Sequence, residues 1–473
     1  MISAFCLTAP NSGEGKTTLS IGLMRLFSQK YAVQAFKCGP DYIDTSYHKI
    51  ASGNTSYNLD SWLMGEEEVL RTFYSQTNCS QKACDIAIVE GVMGLFDGKK
   101  SADNPEESQK SLPSIAGSTA HIAQLLSLPL ILVIDCKGMA QSISAIVRGF
   151  QSHCREYGLY LAGIIANNVG SEKHYAILKE SLTAWNLPPL LGYIPKNLTI
   201  SFKERQLGLT HIFADETKNA DLESKLDELA GILAQHIDID TLLSATKYTQ
   251  APKNLSPTAP KVQANKTIGI AYDEAFCFYY PQNLEALKRL GYTLHYFSPL
   301  KDTKLPKLDA LYLGGGYPEI YANTLSNNTA MCGAIKEFAE EYGNIFAECG
   351  GFMYLCSSLA TSEHNAQENR IAEQAKPQIY PLCNVINATA TMGTRLRSLG
   401  YRQGTLLQKP FFWESEETKF RAHEFHWSDI ELHEDYAPFI KIGQNVFGIH
   451  YKNVFASYLH FYFAYLFNGG EKL

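Results

Sequence analysis

A loop near the start of the chain has the residue types and spacing of a nucleotide-binding loop. An apolar run, 2–8, leads into Ala9-Pro10-Asn11-Ser12-Gly13-Glu14-Gly15-Lys16-Thr17-Thr18. Glycines between a strand and a helix let backbone N–H groups surround phosphate oxygens, and the lysine reaches the β- and γ-phosphates. Pro10 stands where the usual loop has its first glycine, so we predict a variant site. The Thr17 hydroxyl would bind Mg²⁺, and the nucleotide would be held by Gly13, Gly15, Lys16, Thr17 and Thr18.

Acidic residues follow two further apolar runs, where strands of a parallel sheet should end. Lys37-Cys38-Gly39-Pro40-Asp41-Tyr42-Ile43-Asp44 places two carboxylates beside a lysine, which suits Mg²⁺ and an anionic substrate. Taken alone, the Pro-Asp pair is only a turn signal, and an ordinary turn is then the better interpretation. Glu90 ends the run 85–90 and resembles the acid that orients the metal in nucleotide-hydrolysing enzymes, although it could also be a solvated strand end. The glycines after Glu90 favour a site, because they let backbone approach a ligand.

The second half of the chain carries a candidate nucleophile. Asn344-Ile345-Phe346-Ala347-Glu348-Cys349-Gly350-Gly351 is typical of a strand, a tight turn and a helix, and such a turn exposes its central side chain. We expect the N–H groups and dipole of the following helix to favour the Cys349 thiolate. The oxyanion hole would come from Gly315, Gly316 and Gly350. His460 is the best placed base, although a histidine in an aromatic run is more often structural.

Three other groups of polar residues have a functional and an ordinary interpretation. Asn167 and Asn168 could contact an adenine base or simply form a turn. His423 and His426 form only a weak metal pattern, because no further ligands have supporting spacing. The arginines at 395, 397 and 402 could pair with substrate carboxylates or the other domain, or form a solvated face.

The pattern of apolar runs predicts two α/β domains. Six short runs rich in Ile, Val and Leu alternate with longer helical stretches, as in a parallel sheet covered on both faces: 2–8, 32–37, 85–90, 130–135, 162–167 and 190–194. A helix at 221–235 closes this half. The proline-containing stretch 246–266 reads as a linker, and strands resume at 267–272, 293–297, 310–313 and 344–347. We also expect a mobile loop at 99–113 and a helix capped by Ser118 or Thr119.

Composition narrows the class of protein. A chain of 473 residues with 45% hydrophobic and 19% charged residues is typical of two globular domains. The net charge of −7 argues against nucleic-acid binding. Eleven cysteines without a Cys-x-x-Cys pair suit reduced thiols and a cytoplasmic location. The longest apolar run, 128–134, is too short to cross a membrane, and we expect no signal peptide.

Taken together, these motifs resemble one family along essentially the whole chain. The glycine loop, Gly39-Pro-Asp-Tyr-Ile-Asp, Glu90-Gly-Val-Met-Gly-Leu-Phe-Asp-Gly, Gly117-Ser-Thr-Ala, Gly314-Gly-Gly-Tyr-Pro-Glu, Glu348-Cys-Gly-Gly, His423-Glu-Phe-His and Ser457-Tyr-Leu-His occur in its order. The family is that of the cobyrinic acid a,c-diamide synthases of the cobalamin pathway. No single motif is specific, but their combination is.

The resemblance implies an α/β fold in two parts and a role for each group of residues. Residues 1–245 would form a P-loop domain like dethiobiotin synthetase, 246–266 a linker, and 267–473 a class I glutamine amidotransferase domain with a flavodoxin-like sheet. ATP and Mg²⁺ would be held by the glycine loop with Asn167, and the metal by Thr17, Asp41 and Glu90. The corrinoid would contact Lys37, Asp41, Tyr42, Asp44 and Asp97. Cys349 and His460 would release ammonia from L-glutamine.

The implied reaction amidates the a- and c-acetate carboxylates of cobyrinic acid through an acyl phosphate, at sites that should face each other. Tyr462 stands where most class I amidotransferases have an acid, which the resembling family also lacks, so either a Cys–His pair suffices or another group orients His460. Ala422 stands where the family usually has a glycine. Hydrogenobyrinic acid and nickel-sirohydrochlorin remain alternative substrates, and cobyric acid synthase and a ParA-like ATPase switch are less favoured alternatives. A homodimer is possible, and neither nucleic acid nor membrane is expected as a partner.

Overall fold

The structure is a computed structural model that divides the chain into two compact units, Met1–Leu255 and Ser256–Leu473. It describes residues 2–77, 84–98, 113–196, 204–205, 208–209, 220–249, 265–361, 377–413, 415 and 418–464. The loop expected at 99–113 therefore lies outside the described residues except for Pro113. No helix in these ranges is both long and apolar enough to cross a membrane.

The first unit alternates strands with helices. Its strands are β1 (Ile2–Thr8), β2 (Val33–Cys38), β3 (Tyr57–Leu59), β4 (Ile86–Glu90), β5 (Leu130–Asp135), β6 (Leu161–Val169), β7 (Leu190–Pro195), β8 (Glu204–Arg205), β9 (Gly208–Leu209) and β10 (Lys247–Tyr248). Its helices are α1 (Lys16–Ser28), α2 (Asp44–Ser52), α3 (Glu66–Thr77), α4 (Thr119–Leu126), α5 (Ile143–Glu156), α6 (Glu172–Ala184), α7 (Ala220–His236) and α8 (Ile239–Ala245).

Seven parallel strands of this unit form one sheet in the order β3-β2-β4-β1-β5-β6-β7. The central strands β2 and β4 are buried along their whole length, as expected for a parallel sheet covered by helices. The six predicted strands are confirmed to within two residues at each end. The pattern missed β3, which has only three residues, and β10, which pairs antiparallel with β1 inside the stretch expected to be linker.

The second unit contains further strands and short helices. Its strands are β11 (Lys266–Ala271), β12 (Phe276–Phe278), β13 (Tyr292–Phe297), β14 (Ala310–Leu313), β15 (Gly315–Gly316), β16 (Asn344–Glu348), β17 (Cys356–Thr361), β18 (Gln378–Pro381), β19 (Ile386–Met392), β20 (Ser398–Leu406), β21 (Lys419–His426), β22 (Ser428–Leu432), β23 (Ile440–Ile442), β24 (Asn445–Phe447), β25 (Ile449–Tyr451), β26 (Val454–Ser457) and β27 (Leu459–Phe461). Its helices are α9 (Pro281–Arg289), α10 (Ala322–Asn327), α11 (Thr329–Glu340) and α12 (Gly350–Leu355).

The parallel strands of the second unit have the flavodoxin-like order. The sheet runs β13-β11-β14-β16-β26, with β25 antiparallel at its edge. Numbered along the chain, the five parallel strands stand in the order 2-1-3-4-5, which confirms the predicted fold class. A second, five-stranded antiparallel sheet of this unit has the order β24-β23-β20-β21-β27. Ligands of such parallel sheets bind at the carboxyl ends of the strands, and the candidate sites lie there.

Candidate functional sites

The glycine loop joins β1 to α1 and needs a glycine at its last position. Gly15 has a φ of 94°, in the left-handed region, and precedes the first residue of α1. A Cβ atom at Gly15 would also clash with the side chain of Asn167. Asn167 donates a hydrogen bond from Nδ2 to the carbonyl of Glu14 at 2.8 Å. The structure therefore places Asn167 against the loop backbone, which it positions, and the adenine contact stays a prediction.

Lys16 connects the glycine loop to the segment that follows β4. Its Nζ donates to the carbonyl of Asn11 at 3.0 Å and to that of Met93 at 2.6 Å. Burial lowers the pKa of Lys16, and the neighbouring Lys37 ammonium adds to this effect. Two backbone carbonyls are acceptors that a phosphate oxygen can replace, so this lysine is already placed for an anionic ligand.

Glu90, at the end of β4, is the centre of a buried polar cluster. One carboxylate oxygen accepts from Thr17 Oγ1 and Lys37 Nζ, each at 2.7 Å. The other accepts from the Ser20 hydroxyl and contacts His48 Nε2 at 2.7 Å. Burial opposes ionisation, but the Lys37 ammonium and the His48 hydrogen bond outweigh it and hold the pKa of Glu90 well below its usual range. Glu90 is fully buried, so the alternative of a solvated strand end is wrong.

Two of these partners, Ser20 and His48, were missed by sequence reasoning. His48 follows Asp44 by four residues on α2, so both side chains lie on one face of that helix. Ser20 follows Thr17 by three residues on α1 and shares its face in the same way. A search of the helices for polar residues at these spacings would have found both.

The segment after β2 supplies the other carboxylates. Asp44 Oδ2 pairs with Lys37 Nζ at 2.6 Å, so one ammonium lies between Asp44 and Glu90. Burial and the nearby Asp41 raise the pKa of Asp44 to about 8. Asp41 accepts hydrogen bonds from the backbone N–H groups of Ile43 and Asp44 and so begins α2. Among the described residues, no group of three or more His, Cys, Asp or Glu side chains could hold a metal ion, so a cation here would also need ligands from the nucleotide or water.

The remaining predicted residues of this unit lie around the same edge of the sheet. The exposed Asp97 accepts from the N–H of Gly94 at 2.9 Å and closes its own turn. Thr18 and Tyr42 are half-buried, the first in the opening turn of α1 and the second before α2. The Ser118 side chain accepts from the N–H of His121, which confirms the predicted cap of α4.

Cys349 lies on the sharp turn between β16 and α12. Its φ of 48° and ψ of −105° are strained for a residue with a side chain, as in a nucleophile held on a strand-to-helix turn. Its N–H donates to the carbonyl of Ser457 at 2.8 Å. Burial, and then the charge of Glu319, raise the pKa of Cys349 to about 12. Burial outweighs the hydrogen bond from the Gly350 backbone, which lowers the pKa, and so disfavours the thiolate expected from the sequence.

His460 lies on β27, beside the glycine turn. It is paired in register with His423 of β21. A Cβ atom at Gly315 would lie 2.5 Å from His460 Cε1, and one at Gly350 would lie 3.1 Å from the N of Gly316. The structure thus brings the three predicted oxyanion glycines and His460 together. Burial, and then the neighbouring His423, lower the pKa of His460 to about 3, so its ring is neutral at pH 7.

The conspicuous His-Glu-Phe-His stretch forms an ion-pair cluster. Glu424 accepts from Arg402 Nε and the Ser398 hydroxyl, each at 2.7 Å, and contacts His426 Nε2 at 3.1 Å. Burial opposes ionisation of Glu424, but His426, Ser398 and Arg402 together lower its pKa to about 2. Within the described ranges, no group of three or more His, Cys, Asp or Glu side chains could hold a metal ion. The partners of Glu424 favour this ion-pair cluster over a metal site.

The arginines differ in their surroundings. Arg397 pairs with Asp429 at 2.7 Å, and Arg402 pairs with Glu424 within the second unit. Arg395 is exposed. Arg397 and Arg402 thus each have a carboxylate partner, and the basic face suggested by the sequence is largely neutralised.

Comparison with known proteins agrees with both units. Residues 5–207 match the CobQ/CobB/MinD/ParA nucleotide binding domain, and residues 267–465 match the CobB/CobQ-like glutamine amidotransferase domain. The cobyrinate a,c-diamide synthase of Caldanaerobacter subterraneus subsp. tengcongensis is 37% identical over 97% of this chain and 95% of its own. Those of Picrophilus torridus and Methanobrevibacter smithii are 36% and 37% identical, covering 98% and 99% of this chain and 96% and 97% of theirs.

A nucleotide-binding unit followed by an amidotransferase unit defines a glutamine-dependent amidating ligase. The relatives that match this chain along nearly its whole length are named as cobyrinate a,c-diamide synthases. The chain belongs to the cobyrinate a,c-diamide synthase family.

Proposed function

We propose that this protein amidates the a- and c-acetate carboxylates of cobyrinate in cobalamin biosynthesis, using ATP and L-glutamine. The names of the relatives support the substrate and the two amidated positions. The observation that supports the chemistry best is the strained turn that holds Cys349 beside the strand of His460. The other unit contains a nucleotide loop with Lys16, and Glu90 lies next to that loop. One unit is equipped to release ammonia, and the other to activate a carboxylate.

The first unit supplies the activated carboxyl group. A carboxylate does not react with ammonia directly, because hydroxide is a poor leaving group. Transfer of the γ-phosphoryl group of ATP to an acetate oxygen gives an acyl phosphate and ADP, and phosphate is then the leaving group. Lys16 binds the phosphates in place of its two carbonyl acceptors. Lys37, Tyr42 and Asp97 are the proposed contacts to the corrinoid.

The residues at this nucleotide loop also fit Mg²⁺, which would neutralise charge on the phosphates. Thr17 is the proposed direct ligand, because its hydroxyl lies at the mouth of the loop and already bonds to Glu90. Glu90 has donors on both oxygens, so it acts by orienting Thr17 or a water molecule. Asp41 is the second carboxylate proposed to bind the metal. Such a set is ordinary for Mg²⁺, which keeps waters and binds one or two carboxylates plus substrate phosphates.

The second unit supplies nitrogen. His460 is neutral and accepts the thiol proton as Cys349 sulfur attacks the amide carbon of glutamine. The proton passes to the leaving nitrogen, and ammonia departs from a γ-glutamyl thioester that water then hydrolyses to glutamate. Backbone N–H groups near Gly315, Gly316 and Gly350 stabilise the tetrahedral oxyanion. Ammonia attacks the acyl phosphate, giving the amide and releasing phosphate.

The ten cysteines among the described residues are all free and buried, which supports a reducing, cytoplasmic setting. The reaction itself needs no redox partner. ATP, L-glutamine and the corrinoid are therefore the proposed small-molecule partners.

The proposal that the second unit only supplies ammonia, and the first unit carries out the amidation, is tested with Cys349→Ala. We expect glutamine-dependent amidation of cobyrinate to fall by at least about a thousandfold, because nucleophile removal is among the largest single losses in such enzymes. Amidation with added ammonium chloride should stay at the wild-type rate. Cys356→Ala, which removes another buried thiol of the same unit, is the matched control. Equal loss with both nitrogen sources would overturn the proposal.

The substrate is tested by supplying cobyrinate, hydrogenobyrinate and nickel-sirohydrochlorin to the wild-type enzyme. We expect the highest kcat/KM with cobyrinate and a product carrying two new amides. A higher kcat/KM with either other macrocycle would reassign the substrate while leaving the two half-reactions intact.

A further inference from the structure

We propose that Glu348 and Asn283 position the His460 base, in place of the acid that amidotransferases of this class carry two residues after the histidine. The inference rests on the proposed function of Cys349 and His460. We call Asn283 and Glu348 the Phe461 clamp, because these two side chains hold the backbone of Phe461, directly after His460.

Glu348 joins the nucleophile turn to the strand of the base. It is the last residue of β16, next to Cys349, and only 1% exposed. Its Oε1 accepts from the N–H of Phe461 at 2.8 Å, and its Oε2 accepts from the Tyr312 hydroxyl at 2.8 Å. One side chain therefore ties the residue after the base to the residue before the nucleophile.

Asn283 holds the other backbone group of Phe461. Its Nδ2 donates to the Phe461 carbonyl at 2.7 Å, and its Oδ1 accepts from the N–H of Phe463 at 3.2 Å. Asn283 is fully buried at the start of α9. Both backbone groups of Phe461 are thus bonded to buried side chains, which leaves the backbone at His460 little freedom to move.

Tyr462, at the position of the missing acid, carries no carboxyl group and lies in an aromatic core. Tyr462 is 1% exposed, and its ring packs edge-on against Tyr280 with centroids 5.6 Å apart. A carboxyl group in a dry core is costly to bury, and burial raises the pKa of Glu348 to about 8. Two buried polar side chains, Asn283 and Glu348, thus bond to the backbone segment directly after the base.

The test compares Glu348→Ala with Glu348→Gln in steady-state glutaminase assays. Alanine removes the acceptor for Phe461 N–H, and we expect kcat to fall by about 10- to 100-fold, the range of a misplaced catalytic group, with KM for glutamine within about twofold. Glutamine keeps an acceptor oxygen of similar reach and should restore most of kcat. Ammonia-dependent amidation should be unchanged in both variants.

A fallback variant and a control variant accompany the Glu348 test. If Glu348→Ala shows no cooperative unfolding, Asn283→Ala carries the same test, because it frees the Phe461 carbonyl and leaves Glu348 in place. Tyr312→Phe, which keeps the Glu348 contact to Phe461, should retain glutaminase activity within about threefold. Wild-type kcat in folded Glu348→Ala and Asn283→Ala overturns the inference, as does loss of ammonia-dependent amidation to the same extent. If Cys349→Ala and His460→Ala keep glutaminase activity, the proposed function itself fails.

Discussion

At the scale of single residues, the two candidate sites treat charge in opposite ways. Glu90 is buried but ionised, because Lys37 and His48 compensate the cost of removing it from water. Cys349 is buried, and the charge of Glu319 adds to the effect of burial, so its pKa rises to about 12. The first site thus contains an ionised Glu90, whereas Cys349 and His460 of the second site are neutral at pH 7.

The protonation of Cys349 can be measured through its reaction with iodoacetamide. An acid whose pKa is raised to about 12 is almost wholly protonated at pH 7, and its thiolate fraction grows about tenfold with each pH unit up to that pKa. We expect the alkylation rate at Cys349 to rise in this way from pH 7 to 9. Mass spectrometry of the peptide containing Cys349 follows the reaction. A plateau below pH 8 would contradict this assignment.

Gly315 is the residue where a single methyl group should disturb the base. A Cβ atom there would meet His460 Cε1 at 2.5 Å, so Gly315→Ala must displace the ring. We expect glutaminase kcat to fall by about tenfold or more, with ammonia-dependent amidation unchanged. Gly333→Ala in α11, where a Cβ would meet nothing within 4 Å, is the control. Full glutaminase activity in folded Gly315→Ala would show that the methyl group is accommodated.

At the scale of elements, function concentrates where parallel strands end. Glu90 ends β4, and Glu348 ends β16, so each strand places a carboxylate beside the first residues of a glycine-containing turn. The following helix then fixes the turn. In the first unit α4 does this through Thr119, whose hydroxyl accepts from the N–H of Val92 at 2.9 Å and donates to its carbonyl at 3.1 Å.

Removing that hydroxyl should loosen the segment after β4. Thr119→Val keeps the shape of the side chain but leaves both backbone groups of Val92 without this partner, at a cost of about 1–3 kcal/mol in unfolding free energy. Because Lys16 bonds to Met93 in the same segment, we expect a higher KM for ATP with glutaminase kcat unchanged. Chemical denaturation and steady-state kinetics measure the two effects. Ser171→Ala, which removes a helix cap elsewhere in the unit, is the control. An unchanged KM for ATP in Thr119→Val would show that this hydroxyl does not influence nucleotide binding.

At the scale of the whole molecule, each compact unit has a hydrophobic core of its own. One core includes Leu19, Ile88 and Leu229, and the other includes Leu311, Ile345 and Tyr354. A ligand of one unit should therefore stabilise that unit directly. Binding stabilises only the folded state, by about 2.7 kcal/mol when the ligand is at a hundred times its Kd.

Calorimetry can test which unit binds the nucleotide. We expect MgATP to raise the unfolding temperature of the unit that contains Lys16, and Lys16→Ala to remove this shift. Cys349→Ala should retain the shift, because its substitution lies in the other unit. A full shift in Lys16→Ala would place the nucleotide elsewhere.

Much of the molecule follows from local patterns in the sequence. The strands 2–8, 130–135 and 310–313 were predicted with the bounds that the structure has, because buried parallel strands are continuous apolar runs. The antiparallel strands of the second unit were mostly missed. Strands such as β20, with intermediate and exposed residues along most of its length, have no such run. Some of their pairings also join distant parts of the chain, as between His423 and His460, and local patterns do not encode those.

The sequence by itself determined the chemistry available: a glycine loop with Lys16, a carboxylate at Glu90 and a nucleophile at Cys349, each on a motif shorter than a dozen residues. Only the tertiary structure decided how those groups are tuned. His48 reaches Glu90 across 42 residues, and Glu348 reaches Phe461 across 113. The physical reason is that residue type and spacing set local conformation, whereas burial and long-range hydrogen bonds set protonation and position, and both depend on the folded chain.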